Sequence, residues 1–366
     1  MTGFTPAVLA AVLESCAILG DVTSVQVFGP KEPHMDTVSH RDSPGSYVST
    51  GHLPPSDRIA ALVEEAHEHF KSNCEGQRSS IYPSLATARE DLFGICVAAT
   101  DGRLYAAGDS ECEFPIMSVS KPFVFALVCE ALGAQTARDR LGVNATGLPF
   151  NSPEALERSV DGRTNPMVNP GAIAATCLVP GATHHEKWQF IQDGLSRFAG
   201  RPLALNEPIF ACASESNFRN REIAERLKAL SQLSLSPAEA VDLYTRQCSL
   251  DVRVKDLAVM GAALADGGVN PITRRRVIEA ESCKFALAVM ATAGLYEKSG
   301  DWLYDVGLPG KSGISGGIVM ISPGKGALGA YAPPLDEAGN SVKGQLVARR
   351  LSERLGLNLF ASKPEA

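Results

Sequence analysis

The chain has 366 residues, of which 45% are hydrophobic and 20% charged, and its formal net charge is −7. This composition indicates a soluble globular chain with apolar material for one large domain or two modest ones, and the acidic balance argues against a nucleic-acid partner. The basic triplet Arg274-Arg275-Arg276 is better explained as a solvated turn. Nine scattered cysteines without Cys-x-x-Cys spacing indicate reduced thiols in a cytoplasmic protein rather than a disulfide framework or a zinc site.

Residues 1–55 are predicted to be an N-terminal extension and linker, partly mobile. Thr5-Pro6 is a helix-start signal, so a short helix is expected from Pro6 to about Leu19, followed by a possible strand at Val25–Phe28. Gly29–Pro55 is rich in Pro, Gly, Ser and His, which is typical of a linker. The apolar stretch Ala7–Leu13 has no basic residues before it and is too short to cross a bilayer, so neither export nor a membrane partner is expected.

The remaining residues, 56–366, are predicted to form the catalytic domain. Ser56 is expected to cap a helix whose apolar face carries Ile59, Leu62, Val63, Ala66 and Phe70. Two β-hairpins are expected, one spanning Leu92–Gly108 and the other Gly317–Tyr331, followed by a helix carrying Val342, Leu346, Val347 and Leu351. Between the hairpins the periodicity is helical wherever it is clear.

The simplest architecture is therefore an α+β fold in which both chain ends build one antiparallel sheet with flanking helices. The sheet subdomain takes residues 56–117 and 293–366, and a helical subdomain takes residues 118–292. A site between the two subdomains is the natural cleft.

The segment Phe114–Phe123 places a hydroxyl and an amine three residues apart, at Ser118 and Lys121, before the apolar run Phe123–Cys129. On a helix that spacing brings both side chains onto one face, and the apolar run predicts that the helix is buried. Burial favours the neutral amine, which can then take the proton of Ser118 and activate it as a nucleophile. Taken alone, Ser-x-x-Lys is more often a helix cap beside a surface lysine.

Three other motifs fail on their context. Gly313-Ile314-Ser315-Gly316-Gly317 fits a nucleophile elbow, but a strand rather than a helix is predicted after it. Gly324–Gly329 fits a dinucleotide fingerprint, yet it joins two predicted strands and opens no helix. His67-x-His69 and His184-His185 lack a third ligand at a usable spacing, so no metal site is expected.

Lys311-Ser312-Gly313 lies before a predicted strand, about 190 residues after Ser118. Ser-x-x-Lys followed by Lys-[Ser/Thr]-Gly is the motif pair of serine enzymes of the β-lactamase and penicillin-binding type. Within that superfamily the chain resembles the serine-dependent glutaminases over most of Ser56–Gly344. The matching segments, besides the Ser118 motif, are Asp91-Leu92-Phe93-Gly94, Gly147–Asn151, Asn165–Ile173, Asp242-Leu243-Tyr244, Gln247-Cys248-Ser249, Ala265–Gly268, Pro271-Ile272-Thr273, Gly307–Gly313, Pro333–Asp336 and Gly339-Asn340-Ser341.

The resemblance implies a β-lactamase/DD-peptidase-like fold and hydrolysis of the side-chain amide of L-glutamine to L-glutamate and ammonia, through an acyl-enzyme and without a cofactor. It makes Ser118 the nucleophile, Lys121 its base and Tyr296 the residue that assists proton transfer to the leaving ammonia. The backbone N–H groups of Ser118 and Ile314 would form the oxyanion hole. Lys311, Ser312 and Gly313 would support the site, and a homo-oligomer, dimer or tetramer, is implied. The residues implied to hold the substrate, besides Ser118, Tyr296 and Ile314, are Asn169, Asn220 and Tyr244.

Two departures from the family pattern concern substrate recognition. The family usually has Tyr-Ile-Pro where this chain has Ile81-Tyr82-Pro83, so Ile81 replaces a tyrosine that contacts substrate. The glutamate that pairs with the substrate's α-ammonium stands seven residues before Asn220 in the family, and that position is Ala213 here. An alignment that shortens the loop by two residues makes Glu215 the ammonium partner instead, and this is the alignment we predict.

Two alternatives to a glutaminase stay open from the sequence. A related serine amidohydrolase could act on another amide or on a β-lactam. A non-catalytic or regulatory binding protein is the second alternative: the altered recognition residues favour it, and the joint presence of Ser118, Lys121, Tyr296 and Lys311 disfavours it.

Overall fold

A five-stranded antiparallel sheet is the central layer of the computed structural model, which describes residues 52–362. The predicted helix from Pro6 to Leu19, the strand at Val25–Phe28 and nearly all of the linker lie outside the described residues. The strands are β1 (Gly94–Ala99), β2 (Leu104–Gly108), β3 (Phe114–Pro115), β4 (Asp251–Val252), β5 (Gly310–Ser312), β6 (Gly317–Ser322) and β7 (Gly326–Tyr331).

The α-helices are α1 (Ser56–Phe70), α2 (Pro83–Ala86), α3 (Lys121–Leu132), α4 (Ala134–Arg140), α5 (Glu154–Arg158), α6 (Asn169–Leu178), α7 (His184–Ala199), α8 (Glu207–Ser216), α9 (Phe218–Ala229), α10 (Pro237–Cys248), α11 (Val254–Ala265), α12 (Ala280–Ala293), α13 (Ser299–Val306) and α14 (Val342–Arg354). Short 3-10 helices at Met117–Ser120 and Tyr296–Lys298 precede α3 and α13.

Both predicted hairpins are present, and they meet in one sheet. The strand order is β2-β1-β7-β6-β5, so the N-terminal hairpin pairs with the C-terminal one through β1 and β7. Cys96 faces Gly329 in that pairing, and β5, which carries the Lys-Ser-Gly motif, forms the edge beside β6. The prediction that both chain ends assemble one antiparallel sheet is confirmed.

All strands of the sheet except the partly exposed edge strand β2 are buried on both faces, because the sheet lies between two cores. Ile95 and Val97 pack with helices α1 and α14, whereas Cys96 and Ala98 face the core shared with the helical part of the chain. Because both faces are covered, β1, β6 and β7 contain only buried residues. This two-sided burial explains why the sequence of these strands is apolar throughout rather than alternating.

Two details differ from the expectation. Ser56 does not cap α1: its hydroxyl hydrogen-bonds to that of Tyr105 (2.7 Å), and Pro55 is the N-cap residue. Helix α11, predicted as part of the helical subdomain, lies directly on the sheet; a Cβ at Gly261 would come within 2.6 Å of the Ala327 Cβ. The absence of a side chain at Gly261 lets the helix approach the strands this closely, so α11 forms a layer of the sheet subdomain.

Across residues 52–362 no single helix is long and apolar enough to span a membrane. One pair of helical segments, Met117–Leu132 and Ala134–Arg140, meets the length and composition criteria only when joined across a 116° bend.

Candidate active site

Ser118 is held in a tight turn at the entrance to the buried helix α3. It is the second residue of the 3-10 helix Met117–Ser120, whose last residue precedes α3. The Ser118 N–H comes before the first hydrogen bond of this turn, from Val119 N to Ile116 O (3.2 Å), so it is not consumed by the helix. Met117 has a φ of 48°, a left-handed conformation that is strained for a residue with a side chain. Ser118 lines the active-site cavity from this turn.

Lys121, three residues after Ser118, is the first residue of α3 and is only 1% exposed. Its Nζ donates to the Oδ1 of Asn169 (2.7 Å) and to the carbonyl of Met167 (3.3 Å). Neither partner carries a charge, so nothing offsets the loss of water around an ammonium, and burial lowers the pKa of Lys121 to about 7. With a pKa of about 7, about half of the amine is neutral at pH 7, and this neutral form can accept a proton, as expected of a base for Ser118.

The far wall is built by Tyr296 and the edge strand β5. The Tyr296 hydroxyl donates to the carbonyl of Ser312 (3.2 Å), and the Lys311 Nζ donates to the same carbonyl (2.6 Å) and lies 4.2 Å from the Tyr296 ring centroid. Burial raises the pKa of Tyr296 to about 12, against hydrogen bonds with Ser118 and Ser312 that lower it. Burial likewise lowers the pKa of Lys311 well below its usual value. Tyr296 therefore presents a neutral hydroxyl beside Ser118.

Gly313 lets this wall approach the nucleophile turn. A Cβ at Gly313 would lie 3.1 Å from the carbonyl oxygen of Ile116 and 3.2 Å from a methyl of Val119, tighter than most such contacts. Ile314 follows inside a turn closed by the hydrogen bond from Gly313 N to Gly317 O (2.8 Å), and it lines the same cavity as Ser118. Two backbone N–H groups, those of Ser118 and Ile314, thus come from facing walls of one cavity.

A chain of three side-chain amides, Asn169, Asn220 and Asn217, runs from Lys121 along the cavity, and we call it the asparagine network. The Asn169 Nδ2 donates to the Oδ1 of Asn220 (2.9 Å), and the Asn220 Nδ2 donates to the Oδ1 of Asn217 (2.8 Å). The Tyr244 hydroxyl donates to the Asn169 Oδ1 (3.1 Å). These bonds bring the predicted residues Asn169, Asn220 and Tyr244 together with the base in one network.

Asn217 joins this network to a residue far away in the sequence. Its Oδ1 also accepts from the Tyr82 hydroxyl (2.9 Å), and its Nδ2 donates to the Thr245 Oγ1 (2.7 Å). Neither Asn217 nor Thr245 was singled out from the sequence, and Tyr82 was noted only for its changed order with Ile81. Little in the local pattern marks Asn217, because only its bond with Asn220 is local, and its bonds with Thr245 and Tyr82 span 28 and 135 residues.

The cavity has a volume of about 520 Å³. Its lining includes the predicted residues Ser118, Asn169, Asn220, Tyr244 and Ile314, and also Ile81, Tyr82, Met117, Phe150, Asn151, Ala213, Ser216, Asn217, Phe218, Arg219, Thr245 and Cys248. Phe150 stacks on Tyr296, with ring centroids 4.4 Å apart, and so closes the cavity beside the far wall.

The predicted ammonium partner is not in this cavity. Glu215 is an exposed residue of α8 and does not contribute to the lining, whereas Ala213, two residues earlier on the same helix, is buried and does. Two residues on a helix point about 200° apart, so only one of the pair can face the cavity. The structure therefore corrects the shortened-loop alignment: the position facing the cavity is Ala213.

Within the described part of the chain, no group of three or more His, Cys, Asp and Glu side chains is arranged to hold a metal ion. The elbow-like motif and the fingerprint-like motif lie where the sequence predicted. Ser315, the serine of the elbow-like motif, is followed by strand β6, and Gly324–Gly326 forms the turn between β6 and β7.

Comparisons with known proteins agree on one family. A family model described as Glutaminase matches residues 76–360. "Glutaminase 2" of Yersinia pestis is 63% identical over 318 residues, which are 87% of this chain and 94% of that protein. The solved structure of the probable glutaminase ybaS is 41% identical, with a TM-score of 0.83 over 84% of this chain and 100% of that one. A probable glutaminase from Bacillus subtilis complexed with 6-diazo-5-oxo-L-norleucine is 30% identical, with a TM-score of 0.76 over 82% of this chain and 97% of that one.

Proposed function

This chain belongs to the glutaminase family, and from that premise we propose that Ser118, Lys121 and Tyr296 are the residues that perform its reaction. The protein is an amidohydrolase: it hydrolyses L-glutamine to L-glutamate, so glutamine is its substrate and glutamate its product. The observation that carries the assignment is the burial of Lys121 among uncharged acceptors, three residues after Ser118, which lowers the pKa of an amine where a base is needed to about 7.

The first half-reaction forms an ester on the serine. Neutral Lys121 takes the proton of the Ser118 hydroxyl, and the Ser118 Oγ attacks the side-chain carbonyl carbon of glutamine. The negative charge that develops on the carbonyl oxygen is placed between the N–H groups of Ser118 and Ile314. The carbon–nitrogen bond then breaks, and the Tyr296 hydroxyl relays a proton to the nitrogen, which leaves as ammonia.

The second half-reaction frees the product. A water molecule attacks the same carbonyl carbon and gives a proton to Lys121, which passes it to the Ser118 oxygen as the ester bond breaks and the glutamate side chain is released. The network that fixes Lys121 through Asn169 keeps the amine in reach of both proton transfers. Because the base and the far wall are both buried, water reaches the ester only through the cavity.

We propose in addition that the architecture is of the β-lactamase/DD-peptidase type. The support is positional: Ser-x-x-Lys opens a buried helix, and Lys311-Ser312-Gly313 forms the sheet edge that faces it, with Gly313 in contact distance of the nucleophile turn. The described cysteines are free thiols, which fits the further proposal of a cytoplasmic protein.

A homo-oligomer, dimer or tetramer, is proposed on the family resemblance alone. Sedimentation equilibrium at several protein concentrations tests it, and a mass equal to one chain at every concentration would refute it. Fractionation of the source cells, with recovery outside the cytoplasm as the opposing result, tests the proposed location.

The assignment of the nucleophile is tested by covalent labelling. 6-Diazo-5-oxo-L-norleucine, a reactive glutamine analogue, should add covalently to Ser118, and peptide mass spectrometry should place the adduct there. Ser118→Ala should take up no reagent, while Ser315→Ala, the buried serine of the decoy motif, should still be labelled. An adduct on any residue other than Ser118 would remove the assignment.

A further inference from the structure

The cavity provides no negative charge for an amino group. Among the lining residues within 52–362 there is no Asp or Glu, and Arg219 is the one residue that carries a full charge. Burial raises the pKa of the Cys248 thiol to about 11, so it is neutral as well. A substrate ammonium in this space would be partly desolvated without an opposing charge, which is costly.

Most amide oxygens of the asparagine network (Asn169, Asn220 and Asn217) already accept as many hydrogen bonds as they can. The amide oxygens of Asn169 and Asn217 each accept two hydrogen bonds, which is the capacity of a carbonyl oxygen, and that of Asn220 accepts one. Each of the three NH2 groups donates one of its two hydrogens within the network. Among the three amide oxygens only that of Asn220 keeps a free acceptor site, and the remaining acceptors are the neutral hydroxyl oxygens of Tyr82 and Tyr244, so the network offers an ammonium no charged acceptor.

The mouth of the cavity is apolar instead. Phe218 is 71% exposed and Ile81 is 45% exposed, and both contribute to the lining. Ile81, Phe150 and Ile314 also line an adjoining cavity of about 700 Å³, so a substituent on the substrate has room to extend beyond the site. Large apolar side chains exposed at the edge of a polar site are expected where an apolar group of a ligand packs.

The acidic residues of the adjoining cavity do not replace a partner for an ammonium at the site. The carboxylate of Asp336 accepts from three amide N–H groups at 2.9–3.0 Å, and Glu337 is paired with Lys298 at 3.0 Å. Glu75, the third acid there, is exposed to solvent. None of the three lines the cavity that contains Ser118.

We propose that the enzyme accepts glutamine whose α-amino nitrogen is acylated, and uses it at least as well as free glutamine. The proposal rests on the proposed function, since the reaction at the side-chain amide is the same. Acylation removes the positive charge and adds a carbonyl oxygen, which can accept from a free amide hydrogen of the asparagine network. The acyl substituent packs against Ile81 and Phe218. The acyl bond stays intact: the side-chain carbon–nitrogen bond breaks, water supplies the new oxygen, and ammonia leaves.

The direct test compares ammonia release from glutamine, N-acetyl-L-glutamine and N-benzoyl-L-glutamine by the full-length protein. We expect kcat/KM for N-acetylglutamine to equal or exceed that for glutamine, and N-benzoylglutamine to match or exceed N-acetylglutamine. A kcat/KM for N-acetylglutamine below that for glutamine overturns the proposal. If glutamine is hydrolysed and Ser118 is labelled in that case, the inference alone fails. If no amide is hydrolysed and Ser118 is not labelled, the proposed function fails with it.

A pair of variants tests the cause. Ala213→Glu places a carboxylate in the cavity, so we expect the preference for glutamine over N-acetylglutamine to rise at least about tenfold in kcat/KM. Ala213→Gln has nearly the same shape without charge and should shift the preference by no more than about threefold. Equal shifts in the two variants would show that charge is not the missing element and would overturn the proposal. Should either variant fail to fold, the substrate comparison on the unaltered protein still decides.

Discussion

The two halves of the active-site cavity are built in different ways. The catalytic floor is formed by Ser118, which lines the cavity, and by Lys121, Tyr296, Lys311 and Ser312, which do not contribute to its lining; all five residues are buried. The recognition rim is formed by Ile81, Tyr82, Ala213, Asn217 and Phe218, which come from α8, the start of α9 and the segment before α2. The rim ranges from the buried Ala213 to Phe218, which is 71% exposed.

Close backbone packing fixes the floor, whereas side-chain hydrogen bonds fix the rim. At the floor, Gly313 brings the edge strand within contact of the nucleophile turn, and the strained backbones of Met117 and Tyr296 are held by the surrounding core. At the rim, Tyr82 is held by one bond to Asn217. Rim residues such as Ile81 and Phe218 can change without breaking a side-chain hydrogen bond to the catalytic groups, whereas Asn217 is linked to Lys121 through Asn220 and Asn169.

The largest expected effect is loss of the floor's nucleophile or base. Ser118→Ala and Lys121→Ala should each lower kcat for glutamine by about a thousandfold or more, because the serine is not activated without the amine. The double variant should be no worse than either single one, since the two residues act in one step. Coupled measurement of ammonia and glutamate release checks this. A single variant that keeps most of its turnover would show that the floor is not the catalytic centre.

The pH dependence of the reaction tests the protonation state of the same base. Lys121 must be neutral to act, and burial places its pKa at about 7, so the active fraction falls as pH drops below that value and levels off above it. We expect kcat/KM for glutamine to fall about tenfold per pH unit below about pH 7. Circular dichroism at each pH serves as the control for folding. A rate that stays flat between about pH 5 and pH 9 would contradict Lys121 as the base.

At the rim, the strongest expected effect is on stability. Asn217→Ala leaves the Tyr82 hydroxyl and one Asn220 N–H without their acceptor in a buried place, which should lower the free energy of unfolding by about 1–3 kcal/mol. Urea unfolding measures the change. Tyr82→Phe is the matched control. It removes the donor to Asn217 and leaves only one lone pair of the Asn217 Oδ1 unpaired, so the loss in unfolding free energy should be smaller. An equal cost for both variants would mean that Asn217 does not organise the rim.

Sequence reasoning succeeded where the signal is local. Two hairpins, the antiparallel sheet and the Ser118 helix follow from apolar runs and turn residues that lie next to one another in the chain. It failed where partners are distant: the Ser56 hydroxyl goes to Tyr105 rather than to its own helix, and Tyr82 meets Asn217 across 135 residues. Placement of α11 on the sheet also depends on contacts, at Gly261, that no periodicity reveals.

The recognition residue was misplaced for a different reason. The choice between Ala213 and Glu215 depends on a two-residue gap in an alignment. The alignment does not show which way each side chain points, because that depends on where the helix begins and ends. Because α8 runs without interruption through both positions, about 200° separates their side chains, and only Ala213 faces the cavity. The presence of a glutamate nearby in the sequence was therefore no evidence of a carboxylate in the site.

The smallest expected effect follows from that geometry. Glu215→Gln should change KM and kcat for glutamine by less than about twofold, because an exposed carboxylate outside the cavity is screened by water and ions and contacts no substrate. Had Glu215 paired with the substrate ammonium, its neutralisation would raise KM by about tenfold or more while sparing kcat. Initial-rate kinetics on the variant and the unaltered protein, with thermal unfolding to confirm equal folding, distinguish the two outcomes. A tenfold rise in KM would show that Glu215 reaches the rim when substrate is bound. Glu215 would then supply the negative charge that the cavity lacks without substrate.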